Sequence, residues 1–232
     1  MSQAVIILQA RMSSTRLPGK VLELIGARSL LGHCIARLRI GSAAPVMLAT
    51  TLAAADDGLV AAAAPYGIPV FRGPEHDVLL RYVHAARSIG ARYVVRATAD
   101  NPAIDIDGPE RVLRDLRASG ADYVVEAGLP YGACVEAVTT EALNRAALVA
   151  TDPADREHVT TLIRRDITRF TPLITSAPAT VRRPDLRVTV DTPQDLAFMR
   201  GVATRVNDWV GEPELTQIIR AIDGLAVETR VA

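Results

Sequence analysis

Residues 9–20, QARMSSTRLPGK, combine three cationic side chains with three hydroxyl groups in one short segment. The cations are Arg11, Arg16 and Lys20, and the segment directly follows the apolar run AVIIL at 4–8. Cationic side chains, hydroxyls and backbone amides together are suited to binding a polyphosphate. The segment has neither the GxGxxG pattern of dinucleotide-binding proteins nor the GxxxxGK[ST] pattern of P-loop proteins. It is therefore predicted to be a phosphate-binding loop of another type.

Lys20 is the only lysine among the 26 basic residues of this 232-residue chain. An ammonium group is a compact point charge on a flexible stem, whereas a guanidinium group is a rigid planar fork. A lysine can therefore follow a phosphate through a reaction in which an arginine would hold one geometry. The alternative is that Lys20 stands by chance on a solvated loop of an arginine-rich protein.

Two aspartates, Asp100 in TADNP and Asp191 in TVDTP, each follow a predicted strand. The carboxyl ends of parallel strands lie at one edge of a sheet, so these distant residues can meet there. Carboxylates are ligands that Mg²⁺ uses together with phosphates and water. The pair therefore predicts a metal site opposite the basic loop. The alternatives are a turn residue for Asp100 and a helix N-cap for Asp191.

Alternating strand and helix signals position these groups in the first half of the chain. The alternation predicts an α/β fold with a mainly parallel sheet covered by helices. Both chemical segments then fall at the carboxyl edge of the sheet, where such folds bind ligands. The predicted strands are 4–8, 45–50, 68–71, 93–98 and 122–127, and the predicted helices are 29–40, 56–66, 75–89 and 108–119.

The pattern changes after about residue 128. The segment GLPYGACVEAVT predicts a turn and a strand, 139–150 and 155–167 each predict a helix, and 169–185 is irregular with three prolines. We predict that residues 1–232 form a single domain in which 128–185 is an insertion or a subunit-contact element.

The segment LRVTVDTPQDL at 186–196 predicts a return to a strand followed by a helix. Thr192 is the expected N-cap, Pro193 suits the first helical position, and Asp195 completes a capping box. The helix is therefore expected to begin immediately after Asp191.

Composition narrows the function classes. The chain is 49% hydrophobic, which is enough for a globular core, and its 26 basic and 26 acidic residues cancel, so no nucleic-acid partner is expected. No segment approaches the roughly 20 apolar residues that cross a membrane. Cys34 and Cys134 have no metal-like spacing, and we expect a cytoplasmic protein with reduced thiols.

The segment 9–31, QARMSSTRLPGKVLELIGARSLL, resembles the N-terminal signature of the cytidylyltransferases that activate acidic sugars. These are the Kdo and acylneuraminate enzymes, and the resemblance is strongest to their spore-coat polysaccharide biosynthesis (SpsF-like) relatives. Further stretches match in family order as far as about residue 200. They are RGPEHDVLLRY at 72–82, RATADNPAID at 96–105, DREHVTTLIRR at 155–165 and LRVTVDTPQDL at 186–196.

The resemblance implies a Rossmann-like nucleotidyltransferase core that forms a homodimer through a late inserted element. It also implies a magnesium-dependent transfer of CMP from CTP to a sugar or sugar-like acid, with release of pyrophosphate. Arg11, Arg16 and Lys20 would be catalytic, with Lys20 at the charge that develops as pyrophosphate leaves. Nucleotide binding would fall to Gln9, Ala10, Arg11, Ser13, Arg16, Lys20, Arg72, Asp77 and Arg81, and metal binding to Asp100 and Asp191.

Four further residues are candidates for the acceptor pocket. Arg96 lies on the strand before Asp100, while Glu136, Arg156 and His158 lie in the predicted insertion. The alternatives are a structural ion pair for Arg96 and a packed helix residue for His158. For Arg72, Asp77 and Arg81 the alternative is an ordinary polar helix start.

One departure concerns the acceptor. Relatives often carry an aspartate in a GxDVE-like run, where this chain has Cys134 in GACVE. A phosphonate or a neutral polyol therefore remains open as the acceptor, and a cysteine nucleophile lacks a recognisable partner. Two other functions remain open. One is a nucleotide-sugar-dependent glycosyltransferase that uses the DID run at 105–107, and the other is a non-catalytic nucleotide-binding protein.

Overall fold

The computed structural model describes the backbone of residues 4–231 and the side chains of residues 4–225. The strands are β1 (Ala4–Gln9), β2 (Leu24–Ile25), β3 (Arg28–Ser29), β4 (Val46–Thr51), β5 (Val70–Gly73), β6 (Tyr93–Thr98), β7 (Tyr123–Ala127), β8 (Glu136–Thr139) and β9 (Pro172–Ser176). The helices are α1 (Leu30–Ile40), α2 (Asp57–Ala63), α3 (Val78–Ser88), α4 (Gly108–Ser119), α5 (Thr140–Val149), α6 (Pro153–Glu157), α7 (Thr161–Arg165), α8 (Pro193–Arg205) and α9 (Leu215–Val231).

A seven-stranded sheet in the order β5-β4-β1-β6-β8-β7-β9 forms the centre of the fold, and β2 and β3 form a separate short hairpin. Strand β8 is antiparallel to both of its neighbours, whereas the pairs β1–β4, β1–β6, β4–β5 and β7–β9 are parallel. The predicted α/β fold with a mainly parallel sheet is confirmed.

Helices cover both faces of this sheet. Successive residues of β1 face opposite sides, so Val5 and Ile7 pack with α3 and α5, while Ile6 and Leu8 pack with α1 and α4. A strand buried on both faces is apolar throughout, which explains the continuous run AVIIL. Besides the hydrophobic clusters on the two faces of the sheet, a third hydrophobic cluster surrounds Trp209 between α8 and α9. None of the described helices is long and apolar enough to span a membrane.

Two predictions for the chain after residue 168 are wrong. The stretch 169–185 contains β9, which lies at the edge of the sheet and pairs with β7. The predicted strand at 186–191 is absent, and only an isolated bridge joins Arg187 to Tyr131. The place beside β7 is taken by β9, so the later segment hydrogen-bonds to two loops instead. Its Val190 N–H donates to the carbonyl of Asp100 at 2.8 Å.

The predicted helix at 155–167 is also interrupted. It forms two short helices, α6 and α7, because Val159 between them has a left-handed backbone with φ of 57°. A β-branched residue rarely adopts this conformation. The predicted start of α8 is confirmed, since Thr192 and Asp195 form a capping box and Pro193 occupies the first turn.

The cap at the start of α8 leads to a stability prediction. Thr192→Ala removes the hydroxyl that accepts from the Asp195 N–H at 3.1 Å, and we expect a loss of about 1 kcal/mol in the free energy of unfolding. Urea denaturation would measure it. Thr204→Ala, in the exposed last turn of the same helix, is the control and should change stability by less than about 0.5 kcal/mol. Equal effects for the two variants would contradict the capping role.

Candidate active site

The basic loop after β1 is held in place by a buried aspartate. Asp56, 2% exposed, accepts from the backbone N–H of Met12 at 2.8 Å and from the hydroxyls of Thr50 and Thr51 at 2.8 and 2.5 Å. Burial alone would raise the pKa of Asp56, but these hydrogen bonds lower it below its ordinary value. Asp56 was not among the site residues predicted from the sequence, although it follows β4 at the same edge of the sheet.

Lys20 lies between the two predicted metal ligands. Its ammonium group donates to Asp100 Oδ2 at 2.9 Å, to Asp191 Oδ1 at 2.8 Å and to the carbonyl oxygen of Val190 at 2.9 Å. The Lys20 side chain is 9% exposed. The preceding residue, Gly19, has a φ of 71°, a left-handed backbone conformation that favours glycine. All three N–H donors are therefore used at a point where carboxylates from two distant segments converge. A planar guanidinium does not present three donors in this arrangement.

Asp191 is surrounded by cations. Besides Lys20, Arg16 approaches Oδ1 at 3.0 Å and Arg187 donates to Oδ2 at 2.6 Å. Burial alone would raise the pKa of Asp191, but the hydrogen bond and charge of Lys20, the hydrogen bond from Arg187 and the charge of Arg16 lower it. The carboxylate is therefore kept ionised. Arg187 was not among the site residues predicted from the sequence, because it lies in a segment that was predicted to be an ordinary strand.

The pair of carboxylates fits a magnesium ion by its chemistry. Asp100 is 29% exposed, and no hydrogen bond from the described residues reaches its Oδ1 atom. Among all residues that the structure describes, no group of three or more His, Cys, Asp or Glu residues is arranged to hold a metal. A hard cation at Asp100 and Asp191 would therefore need oxygen ligands from a bound molecule and water, which is how Mg²⁺ binds in nucleotide sites.

Two cavities meet at these carboxylates. The first, which we call the loop-side cavity, has a volume of about 290 Å³, and the second, the sheet-end cavity, has about 470 Å³. Six residues line both, so they mark the boundary between the two cavities. The shared residues are Gln9, Arg16, Thr98, Asp100, His158 and Asp191.

Most of the predicted site residues face these cavities. Arg11 in the loop-side cavity forms an ion pair with Glu157 at 2.9 Å, and the Ser13 hydroxyl donates to Glu75 at 3.2 Å. Arg81 there is 1% exposed, and its Nε has no hydrogen-bond partner in the described structure. Gln9, Ala10, Arg11, Ser13, Arg16, Lys20 and Arg81 line the loop-side cavity, Arg96 and Glu136 line the sheet-end cavity, and His158 lines both.

Three predicted residues lie outside both linings. Arg72 donates to the carbonyls of Thr51 and Ala53 and to Asp57, so it fastens the loop after β4. Asp77 accepts from the Leu80 N–H at 2.9 Å and therefore caps α3, the alternative considered for it. Arg156 donates to Asp77 at 2.6 Å and to two carbonyls of the α5 end.

An ion pair between a half-buried arginine and a buried glutamate forms one wall of the sheet-end cavity. Arg96 and Glu136 face each other across the β6–β8 pair, and Arg96 Nη1 donates to Glu136 Oε2 at 2.9 Å. Tyr123 and Thr160 donate their hydroxyls to Glu136 at 2.7 and 3.0 Å. Burial alone would raise the pKa of Glu136, but the charge of Arg96 and these two hydrogen bonds lower it. The pair is therefore fully charged and neutral in sum.

The loop before β8 forms another wall. Burial raises the pKa of Cys134 to about 11, so its thiol is protonated at neutral pH and is a poor nucleophile. Gly132 has a φ of 99°, and a Cβ there would lie 2.7 Å from the backbone nitrogen of Thr189. The ring of Tyr131 is 63% exposed at the rim, and the guanidinium of Arg187 lies 4.9 Å from its centroid.

The alternative DID metal motif lies elsewhere. Asp105 is buried and accepts from Arg111 at 2.5 Å, and Asp107 stands at the N-cap of α4. Neither residue lines the two cavities that meet at Asp100. The geometry therefore gives no support to a glycosyltransferase site built on this motif.

Known proteins resemble the chain over most of its length. A family model described as cytidylyltransferase matches residues 5–218. Spore coat polysaccharide biosynthesis protein SpsF of Bacillus subtilis is 31% identical over 214 residues, 90% of this chain and 89% of that protein. A 3-deoxy-manno-octulosonate cytidylyltransferase of Agrobacterium fabrum is 32% identical over 127 residues, 52% of this chain and 49% of that enzyme. The structure of a cytidylyltransferase from Leptospira borgpetersenii has a TM-score of 0.89 at 26% identity and covers 98% of this chain and 96% of that one.

The ion pair between Arg96 and Glu136 leads to a second stability prediction. Glu136→Gln leaves the Arg96 charge, 19% exposed, without its partner, and we expect a loss of about 2–3 kcal/mol in the free energy of unfolding, less than for a fully buried pair. Urea denaturation at pH 7 would measure it. Glu141→Gln, an exposed carboxylate in the first turn of α5, is the control and should cost less than about 1 kcal/mol. A small loss for Glu136→Gln would show that the ion pair contributes little.

The same pair sets a pH dependence. Because the folded pKa of Glu136 is lowered, its contribution is fully present above the unfolded value of about 4.3 and is lost as pH falls through the folded pKa. The stability difference between the wild type and Glu136→Gln should be constant from about pH 5.5 to 8 and should become smaller toward pH 3. A difference that stays constant down to pH 3 would contradict the lowered pKa.

Proposed function

The chain belongs to the cytidylyltransferase family, and we propose that it transfers CMP from CTP to an oxygen of a sugar or sugar-like acid, with magnesium and with release of pyrophosphate. Family membership makes it a nucleotidyltransferase that uses CTP, as the sequence resemblance predicted. The acceptor, the metal and the roles of individual residues are the proposal.

The observation that carries the proposal is the position of Lys20, Asp100 and Asp191 where the two cavities meet. Transfer of a nucleotidyl group requires the attacking oxygen and the leaving oxygen to lie on opposite sides of the reacting phosphorus. We propose that the loop-side cavity holds the triphosphate and the sheet-end cavity holds the acceptor. The α-phosphate would then lie beside the two carboxylates, between leaving group and nucleophile.

The protein's main tasks in such a reaction are positioning and charge neutralisation. Asp100 and Asp191 would hold magnesium, which when bound neutralises charge on the phosphate oxygens. Lys20 would turn its ammonium group toward the leaving pyrophosphate. Arg11 and Arg16 are 38% and 63% exposed and pair with carboxylates that a phosphate could replace.

The remaining nucleotide contacts are proposed from the lining of the loop-side cavity. Gln9, Ala10 and Ser13 line its wall. Arg81 brings a buried charge there with an unpartnered Nε, which a nucleotide oxygen could accept from. Arg72 and Asp77 stay predictions, since their contacts are with the loop after β4 and the start of α3.

The acceptor is proposed to bind against Arg96, Glu136 and His158. Arg164, 53% exposed at the same cavity, is a further cation that could reach an acidic group. The acidic sugar named in the Agrobacterium fabrum relative supports this class of acceptor. Arg156 stays a prediction, because it contacts Asp77 and the end of α5.

We further propose that residues 128–185 of the single domain serve for homodimerisation. Exposed apolar side chains in this segment support the proposal, among them Leu148 at 86% and Ile167 at 74% exposure. Light scattering of the purified protein would measure its mass, and a monomer at micromolar concentration would oppose the proposal. The cytoplasmic location stays a prediction.

The experiment that tests the function has two steps. Thermal shifts with each of the four nucleoside triphosphates and Mg²⁺ should show the largest stabilisation for CTP. Pyrophosphate release from CTP should then require an acceptor, to be sought first among sugar acids and next among phosphonates and neutral polyols. Binding of CTP without turnover on any acceptor would favour the non-catalytic alternative.

Replacing the single lysine tests the site directly. Lys20→Arg keeps the charge but cannot supply three converging donors, so we expect kcat to fall roughly 100-fold or more while the Kd for CTP changes about threefold or less. Arg183→Lys, a conservative change at an exposed ion pair with Asp185 and Asp223, is the control and should leave kcat unchanged. Full activity of Lys20→Arg would remove Lys20 from the proposed mechanism.

A further inference from the structure

We propose that Lys20 keeps a divalent metal ion away from Asp100 and Asp191 until CTP binds, so that metal and nucleotide enter the site together. The inference rests on the proposed function and adds an order of binding to it. It assigns Lys20 a second role, as the cation that holds the two carboxylates together before metal and nucleotide bind.

The first argument is geometric. The Lys20 side chain is 9% exposed, and its ammonium group donates to both carboxylates, at 2.9 Å to Asp100 and 2.8 Å to Asp191. It therefore stands at the point between the two oxygens where a cation interacts with both at once. Any ion that bridged the same two oxygens would have to displace the ammonium group or share them with it.

The second argument is the local balance of charge. Among the described residues, the cations around the two carboxylates are Lys20, Arg16 and Arg187. The carboxylates are Asp100 and Asp191, with Asp195 at 3.6 Å from Arg187. The three positive and three negative charges cancel. A dication would therefore leave an excess of positive charge, which the negative charge of a nucleoside triphosphate can compensate.

The third argument concerns how Lys20 can give way. It lines the loop-side cavity, where the triphosphate is proposed to bind. A phosphate there offers the ammonium group new acceptors, so rotation of a flexible four-carbon side chain is enough to release Asp100. Only the side chain has to move, because the backbone of Lys20 is fixed in a short helical turn that begins at this residue. Nucleotide binding would in this way free a metal ligand.

Mn²⁺ binding in the absence of nucleotide tests the inference. Mn²⁺ would be titrated into the protein and its free concentration followed by electron paramagnetic resonance. Lys20→Met removes the charge and keeps the bulk, and we expect it to bind Mn²⁺ at least tenfold more tightly than the wild type. The matched control is Arg16→Gln, because Arg16 contacts the same Asp191 but is 63% exposed. Its gain should stay below about threefold, since exposed charges are strongly screened.

Equal Mn²⁺ affinities of the wild type and Lys20→Met would overturn the inference. An equal gain in affinity for Arg16→Gln would also overturn it, because it would indicate only a general effect of net charge.

If Lys20→Met does not fold, crystals of the wild-type protein provide the test. Anomalous scattering from Mn²⁺ should appear at Asp100 and Asp191 with CTP and be absent without it. A peak of the same height without CTP would refute the proposal. Failure of the proposed function would instead appear as absence of CTP binding, which leaves the nucleotide-free titrations intact.

Discussion

The site depends on one electrostatic constraint: two carboxylates from distant segments must be held close together without repelling each other. The ammonium group of Lys20 meets this constraint by donating to Asp100, Asp191 and the Val190 carbonyl. These hydrogen bonds join the loop after β1, the turn after β6 and the segment before α8. A charged group with little exposure is stable only when it is paired and hydrogen-bonded, so the three segments depend on one another.

Backbone contacts make the same junction rigid. The Val190 N–H donates to the Asp100 carbonyl, and the Asp191 N–H donates to Asp195 in the capping box of α8. On the other side, Asp56 fixes the basic loop through the Met12 N–H. The groups proposed to bind nucleotide and metal are therefore attached to elements at the carboxyl edge of the sheet. Such preorganisation is what phosphoryl-type chemistry requires of a protein.

The sheet-end cavity, the proposed acceptor site, has a different charge arrangement. Arg96 and Glu136 neutralise each other in the wall of the sheet-end cavity, so neither supplies a free charge to a ligand. If the acceptor binds there as proposed, its selection would depend more on other residues of the lining, such as Arg164, Tyr131 and the uncharged Cys134. The sequence resemblance predicts an aspartate at the position of Cys134, so this wall of the cavity departs from the expected pattern.

The sequence alone determined what depends on neighbouring residues. The alternation of strands and helices in the first half of the chain, the position of the basic loop after β1 and the capping box at Thr192 were predicted correctly, because propensity, periodicity and capping act over a few positions. Tertiary structure decided the rest. Strand β9 pairs with β7, Val159 interrupts a predicted helix, Asp56 holds the basic loop, and Arg187 donates to Asp191. These features depend on packing and charge pairing between residues that are far apart in the chain. Only the fold sets the distances between such residues.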